Sequence, residues 1–306
     1  MRRYKETKAE KIGHVLLRDY LPNQKDNLKY ITIKVLFLIS LILLIFGSLY
    51  IGGLYYQCAK EKKILENQRR ILKSGSLENA YSKLWEQNHD YKAWISLRNT
   101  SLNYPVFQTD DNSFYLNHNS KKQKSRYGSL FFDYRSVIED GRRDKNLVIY
   151  GNSPNGDALF GPLHKLRSLG FYQKNSVIDL VTKDGEYSYK IYAIFVLNAK
   201  EPKDSGDNYN IYRKTFANDS DFDGWVNGAK ERSVINTSVD VKMGDNILTL
   251  VTHCDDFENA RLVVMAREIR SGEWVELDTP AATVNDRPKY PKKWYEERNI
   301  EYPSTE

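Results

Sequence analysis

Cysteine is nearly absent from this sequence: Cys58 and Cys254 are the only two in 306 residues. Two cysteines cannot build a disulfide framework, and a domain of this size can bury enough core without one. Histidine is also scarce, at five residues. His253 and Cys254 are adjacent, which gives a metal too few ligands and no zinc-type spacing, so neither a metal nor a cofactor is expected. There is no glycine-rich phosphate loop, since GNSPNG (151–156) and GDNYN (206–210) read as turns. No internal repeat is present. Charge of one sign does not dominate either: 46 Lys and Arg face 40 Asp and Glu, a net charge of +6. That balance suits an anionic membrane or wall surface and gives no argument for a nucleic-acid partner.

One further absence is local. Residues 35–56, VLFLISLILLIFGSLYIGGLYY, carry no charge at all. About 20 apolar residues span a hydrocarbon core, whereas a signal-peptide core is shorter, about 7–15. An uncleaved signal anchor is expected. Residues 1–34 hold nine Lys and Arg, and the fifteen residues after the span hold five. The excess predicts a single-pass cell-membrane protein with a cytoplasmic N-terminus and an extracellular C-terminal domain.

What is present in quantity is aromatic: 13% of residues, including 22 tyrosines. Such side chains suit pleated surfaces and favour a β-rich core. After a basic segment (1–34) and the anchor (35–56), residues 57–75 are charged and helix-prone and read as a stalk. Ser76 then reads as an N-cap, with Leu77, Ala80, Tyr81, Leu84 and Trp85 on one helical face. From Ala93 short strand-like runs follow: AWISL, YPVFQ, GSLFFDY, NLVIYG, SVIDLVT, EYSYKIYAIFVL, NILTLVT and RLVVMAREI. Lys183-Asp184-Gly185 is a hairpin signal, because Asp-Gly tolerates positive φ. Ser220 reads as the cap of a short helix presenting Phe222, Trp225, Val226 and Ala229. The fold class is therefore mainly β: one domain over 76–272, of seven or eight strands with short helices. A closed or nearly closed barrel would manage its edges. The tail, 273–306, holds four of the nine prolines and many charges, and is expected to lie on the surface or be disordered.

The order of these elements, from the anchor through NYPVFQTDDNSFYL, GSLFFDYR and LVIYGNSPNGDALFGPLHKL to TLVTHCDDFENARLVV, resembles the class B sortases. These are membrane-anchored cysteine transpeptidases of Gram-positive bacteria, and the likeness covers roughly residues 77–270. It implies a sortase-type barrel. It also implies a cysteine thiolate that attacks a C-terminal sorting-signal peptide of a secreted surface protein or pilin. A histidine after the Tyr-Gly of the VIYG strand would act as acid and base, and an arginine opening the last strand would hold the oxyanion. A cell-wall peptidoglycan or pilin amine would then resolve the thioester. The chemistry is sound: a thiol gains from a cationic neighbour, a leaving amine needs a proton, and an oxyanion needs fixed donors.

The sequence departs from that pattern at two places. Asn152 stands where the family has its histidine, and an amide cannot shuttle a proton. The family's cysteine follows the Thr-Leu-x-Thr tetrapeptide at once; here Thr249-Leu250-Val251-Thr252 is followed by His253, and Cys254 comes one place later. Arg261 is kept, and its alternative role is an ion pair with Glu258. Successive strand residues point to opposite faces, so either His253 or Cys254 faces the groove, unless a bulge at 252–253 re-aims the chain. Asp255 and Asp256 would oppose thiolate formation if close. His164, on the short helix after Asn152, is a candidate to return toward the site, while His118 reads as a structural loop residue. Two functions follow. One is a class B transpeptidase with Cys254 as nucleophile and Arg261 as oxyanion stabiliser. The other is a pseudo-sortase that binds sorting peptides or pilus and wall components without cleaving them.

Overall fold

The computed structural model of the protein describes residues 20–139, 141–154, 156–200, 209–274 and 279–303. Most of the basic segment expected over 1–34 lies outside them, as do residues 201–208 before the short helix expected at Ser220. The chain divides into two units, residues 1–64 and 65–306.

Anchor and stalk are one element, α1 (Leu28–Leu72), with no break at 56–57. No proline interrupts it, and Gly52 and Gly53 weaken a helix without ending it. Asn27 opens it by accepting the Tyr30 amide with its side chain at 3.0 Å. Among the described residues it is the one helix long and apolar enough to cross a membrane, and its apolar stretch is exposed. In the second unit, α2 (Leu77–Gln87) begins as expected, with Ser76 accepting the Asn79 amide at 3.3 Å. Ala80 and Leu84 form its buried face.

Among the described residues twelve strands follow. They are β1 (Tyr91–Leu97), β2 (Asn103–Phe107), β3 (Leu130–Phe132), β4 (Ile138–Glu139), β5 (Arg142–Arg143), β6 (Asn146–Tyr150), β7 (Val177–Thr182), β8 (Gly185–Asn198), β9 (Ile235–Asn236), β10 (Ile247–His253), β11 (Ala260–Glu268) and β12 (Thr283–Val284). Eight of them close a barrel in the order β1-β2-β3-β6-β10-β11-β8-β7. The Asp-Gly hairpin forms between β7 and β8 as expected, with Thr182 opposite Gly185. The helices between strands are α3 (Gly161–Lys165), α4 (Leu169–Tyr172) and α5 (Asp219–Arg232), and α6 (Lys292–Glu296) comes last.

Two cores sit on the two faces of the barrel wall. Ile95, Leu130, Ile149, Ile194, Leu250 and Leu262 fill the interior. Val148, Phe195, Val251 and Val263 face outward and are covered by Phe222, Trp225, Val226 and Ala229 of α5. Burying each such side chain contributes about 1.5–3 kcal/mol. The cap of α5 is Asn218 rather than Ser220: its side chain accepts the Asp221 amide at 3.0 Å. An amide oxygen serves there as well as a hydroxyl. Most described tail residues are exposed or half-buried, yet parts of the tail pack on the domain. Thr283–Val284 pairs with β9, Ala282 is buried, and Tyr290 and Trp294 pack against the barrel core. Its aromatic residues supply apolar area that its prolines and charges conceal in sequence.

Candidate active site

β10 lies between β6, which runs parallel to it, and the antiparallel β11. Its register with β11 is unbroken from Ile247 opposite Arg267 to His253 opposite Arg261, so no bulge intervenes at 252–253. Parity then decides orientation. Leu248 and Leu250 point inward, and Cys254 joins them in the interior core. Ile247 and Val251 point outward, and His253 follows them. On β11, Leu262 and Val264 are interior while Val263 and Met265 are outer, which puts Arg261 on the outer face too. The Cys254 amide donates to the Ala260 carbonyl at 3.4 Å. His253 and Arg261 are therefore a non-hydrogen-bonded cross-strand pair, the kind whose side chains lie closest.

The end of β6 completes this rim. The Gly151 amide donates to Val251 O at 3.2 Å, and the Ser153 hydroxyl donates to His253 O at 2.9 Å. A side chain at 151 would meet Leu130 Cδ2 at 2.2 Å, so glycine lets the strand leave the barrel this close to its neighbours. Asn152 lies between, but its side chain is committed. Its Nδ2 donates to Leu116 O at 2.9 Å and to Tyr127 O at 3.0 Å, pinning the loop that holds His118. His118 stacks on Phe114 at 4.0 Å and bonds the Phe114 carbonyl through Nδ1 at 2.8 Å, the structural loop role its sequence suggested.

Cys254 faces the other way, with 1% of its surface exposed. Burial pushes its thiol up to about 12, and the charge of Asp256, which also accepts its S–H, adds to the rise. Asp256 in turn takes two bonds from Arg167, at 2.8 and 2.9 Å. Burial alone would raise the Asp256 carboxyl; the Arg167 bonds outweigh it and hold the group below its usual range. The short loop between β10 and β11 turns at Asn259, whose φ of +67° asparagine tolerates better than most residues. It buries Phe257 beside Cys254. The Cys254 side chain is part of the interior core.

A sortase-domain family model matches residues 95–269. Sortase B of Staphylococcus aureus (strain NCTC 8325 / PS 47) is 32% identical over 251 residues, covering 79% of this chain and 98% of that protein. The chain belongs to the sortase family, and to its class B branch. The structure of the Staphylococcus aureus sortase B–substrate complex is 29% identical, covers 71% of this chain and 100% of the other, and superposes with a TM-score of 0.61. A sortase B complexed with triglycine is 28% identical, covers 71% of this chain and 99% of the other, and has a TM-score of 0.61.

Within this sortase barrel, the candidates divide into two groups. His253 and Arg261 share the outer rim, while the Asn152 side chain is turned to the Leu116 and Tyr127 carbonyls. Cys254 does not join them. His164 does return toward the site, close enough to the His253 backbone for that backbone to favour its charged form. Burial, then the nearby Arg167 charge, lowers its pKa and favours the neutral imidazole. Arg261 does not pair with Glu258, whose carboxylate lies 3.5 Å from Lys293. It bonds the Ala260 carbonyl at 2.9 Å. Sequence reasoning missed Arg167 and Ser153. The spacing of Arg167, three residues after His164, was the available signal for the first. Nothing local marked Ser153.

Proposed function

We propose that this class B sortase is a membrane-anchored peptide-binding protein that has lost cysteine acyl transfer. One observation carries the reading: His253 pairs with Arg261 in an unbroken β10–β11 register, while Cys254 is buried. Acyl transfer needs a thiolate within reach of the peptide carbonyl and a group that moves a proton to the leaving amine. The thiol here is buried and protonated, and the position after Tyr150-Gly151 is an amide bound to two carbonyls. The outer rim still offers donors and an apolar floor in Tyr150 and Leu197, which are partly buried against the outer core.

Solved sortase B complexes with a substrate and with triglycine point to the ligands: a sorting-signal peptide of a surface protein or pilin, and an amine of the wall. Helix α1 supplies the anchor, with the N-terminus cytoplasmic and the barrel outside. The second reading, a working transpeptidase built on Cys254, draws on the retained Arg261 and on the approach of His164 to the His253 backbone. It requires the loop after β10 to turn over and expose the thiol.

Incubating the full chain in lipid nanodiscs with pooled sorting-signal peptides and triglycine separates the two. Mass spectrometry is expected to find bound peptide but no cleaved or transferred product. The double variant Asn152→His, His253→Cys is expected to produce some. Product from the unaltered protein, abolished by Cys254→Ala, would sink the proposal in favour of the transpeptidase.

A further inference from the structure

His253 stands on the rim across from Arg261. Arg261 is half-buried, and its guanidinium donates one hydrogen bond, to the Ala260 carbonyl. Among the described residues no carboxylate pairs with it. Half-buried arginines elsewhere in the barrel find carboxylates: Arg143 lies 3.0 Å from Glu268, and Arg213 lies 2.6 Å from Asp221. The remaining N–H groups of Arg261 thus lack an anion on a rim that is otherwise well paired. His253 stands directly opposite, in the closest kind of cross-strand pair, with its imidazole 57% exposed. The Asp255 carboxylate lies 3.6 Å from His253 Nδ1 and is 98% exposed, so solvent already satisfies it. Glu258 is engaged by Lys293.

A planar arginine fork and an imidazole N–H side by side are complementary to a two-oxygen anion, not to a neutral amide carbonyl with a single acceptor atom. We infer that His253 and Arg261 form a receptor for a carboxylate, the free C-terminus of a peptide seated on the outer rim. This rests on the peptide-binding reading above and sharpens it: the preferred ligand is a peptide that ends at the rim, not one that runs across it. Tyr150 and Leu197 flank the pair on the same face and would take the preceding side chains.

The test uses the full chain in nanodiscs with ¹³C-labelled histidine. The His253 signal is assigned by its loss in His253→Gln, and His89, His118 and His164 report on folding. Three N-acetylated pentapeptide pools are titrated: neutral residues ending in a free acid, the same ending in an amide, and an amide pool with Glu at the last position. The His253 signal is expected to move with the acid pool at about tenfold lower concentration than with the amide, the worth of one charge-assisted hydrogen bond. Arg261→Gln should bring that ratio near one, and Arg261→Lys should restore part of it. Movement with the Glu pool alone would keep the receptor and assign its carboxylate to a side chain. Equal response to acid and amide would overturn the receptor while leaving peptide binding intact. No response to any pool would overturn both.

Discussion

His253 and Cys254 are neighbours in the chain and occupy opposite environments. The histidine stands on the open rim, across from Arg261 and beside Ser153. The cysteine sits inside, donating to a carboxylate that an arginine already holds. Each polar cluster is coherent alone: the rim offers donors in search of an anion, and the interior offers a thiol kept from ionising. One residue of strand geometry separates them. A one-residue step along a strand therefore suffices to put neighbouring side chains in opposite environments with no change in architecture.

The largest effect expected from that contrast is on thiol reactivity. With Cys58 replaced by serine, Cys254 should react with iodoacetamide at pH 7.5 about 10³-fold more slowly than a cysteine introduced by His253→Cys. An exposed thiol of pKa about 8.5 is roughly a tenth ionised there, whereas one pushed up to about 12 is almost wholly protonated. Peptide mapping of the alkylated sites gives both rates in one sample. Comparable rates would mean that the loop opens and that the division between rim and interior fails.

The next effect is on stability, and it probes the inner cluster alone. Arg167→Ala leaves Asp256 buried without its partner. Breaking a fully buried pair costs about 3–5 kcal/mol. Arg167 keeps 31% of its side chain exposed, so a smaller loss, about 2–3 kcal/mol, is expected. Denaturant unfolding followed by tryptophan fluorescence measures it. Arg261→Ala, on the rim, should shift the same midpoint far less, because its guanidinium bonds only a carbonyl already bonded to the Cys254 amide. Equal losses at the two arginines would erase the distinction.

Much of this was legible in the sequence. Alternating apolar runs and the Asp-Gly turn specified the strands of the barrel, and the uncharged stretch over 35–56 specified the apolar helix. The offset of Cys254 from the Thr-Leu-Val-Thr run posed the central question correctly. Its answer was not legible, because a bulge at 252–253 leaves no local signature; only the pairing with Arg261 excludes one. The Cys254–Asp256–Arg167 chain was also hidden, since Arg167 lies 89 residues from its carboxylate. The packing of Tyr290 and Trp294 was hidden for a different reason: two aromatic residues in a charged, proline-bearing tail carry no period to read.

The smallest effect tests the protonated thiol through linkage. The folded-state pKa of Cys254 lies above its unfolded value, so its contribution is fully present below about pH 8.5 and is lost as pH rises toward about 12. Over that window the unfolded chain releases a proton that the folded chain retains, which tilts the balance toward unfolding. Between pH 8.0 and 9.5 the loss attributable to this one group is about 1 kcal/mol. Buried tyrosines such as Tyr189 and Tyr192 are also raised and act in the same direction, so the absolute slope mixes several groups. The comparison that isolates the thiol is between the Cys58→Ser protein and the same protein with Cys254→Ala. Tyrosine contributions are common to both and cancel, while any cavity left by the alanine shifts stability equally at every pH. Unfolding free energies measured at pH 8.0 and 9.5 should therefore fall by about 1 kcal/mol less in the alanine variant. Identical slopes would mean that the folded thiol ionises as freely as the unfolded one. The interior placement of Cys254 would then not hold.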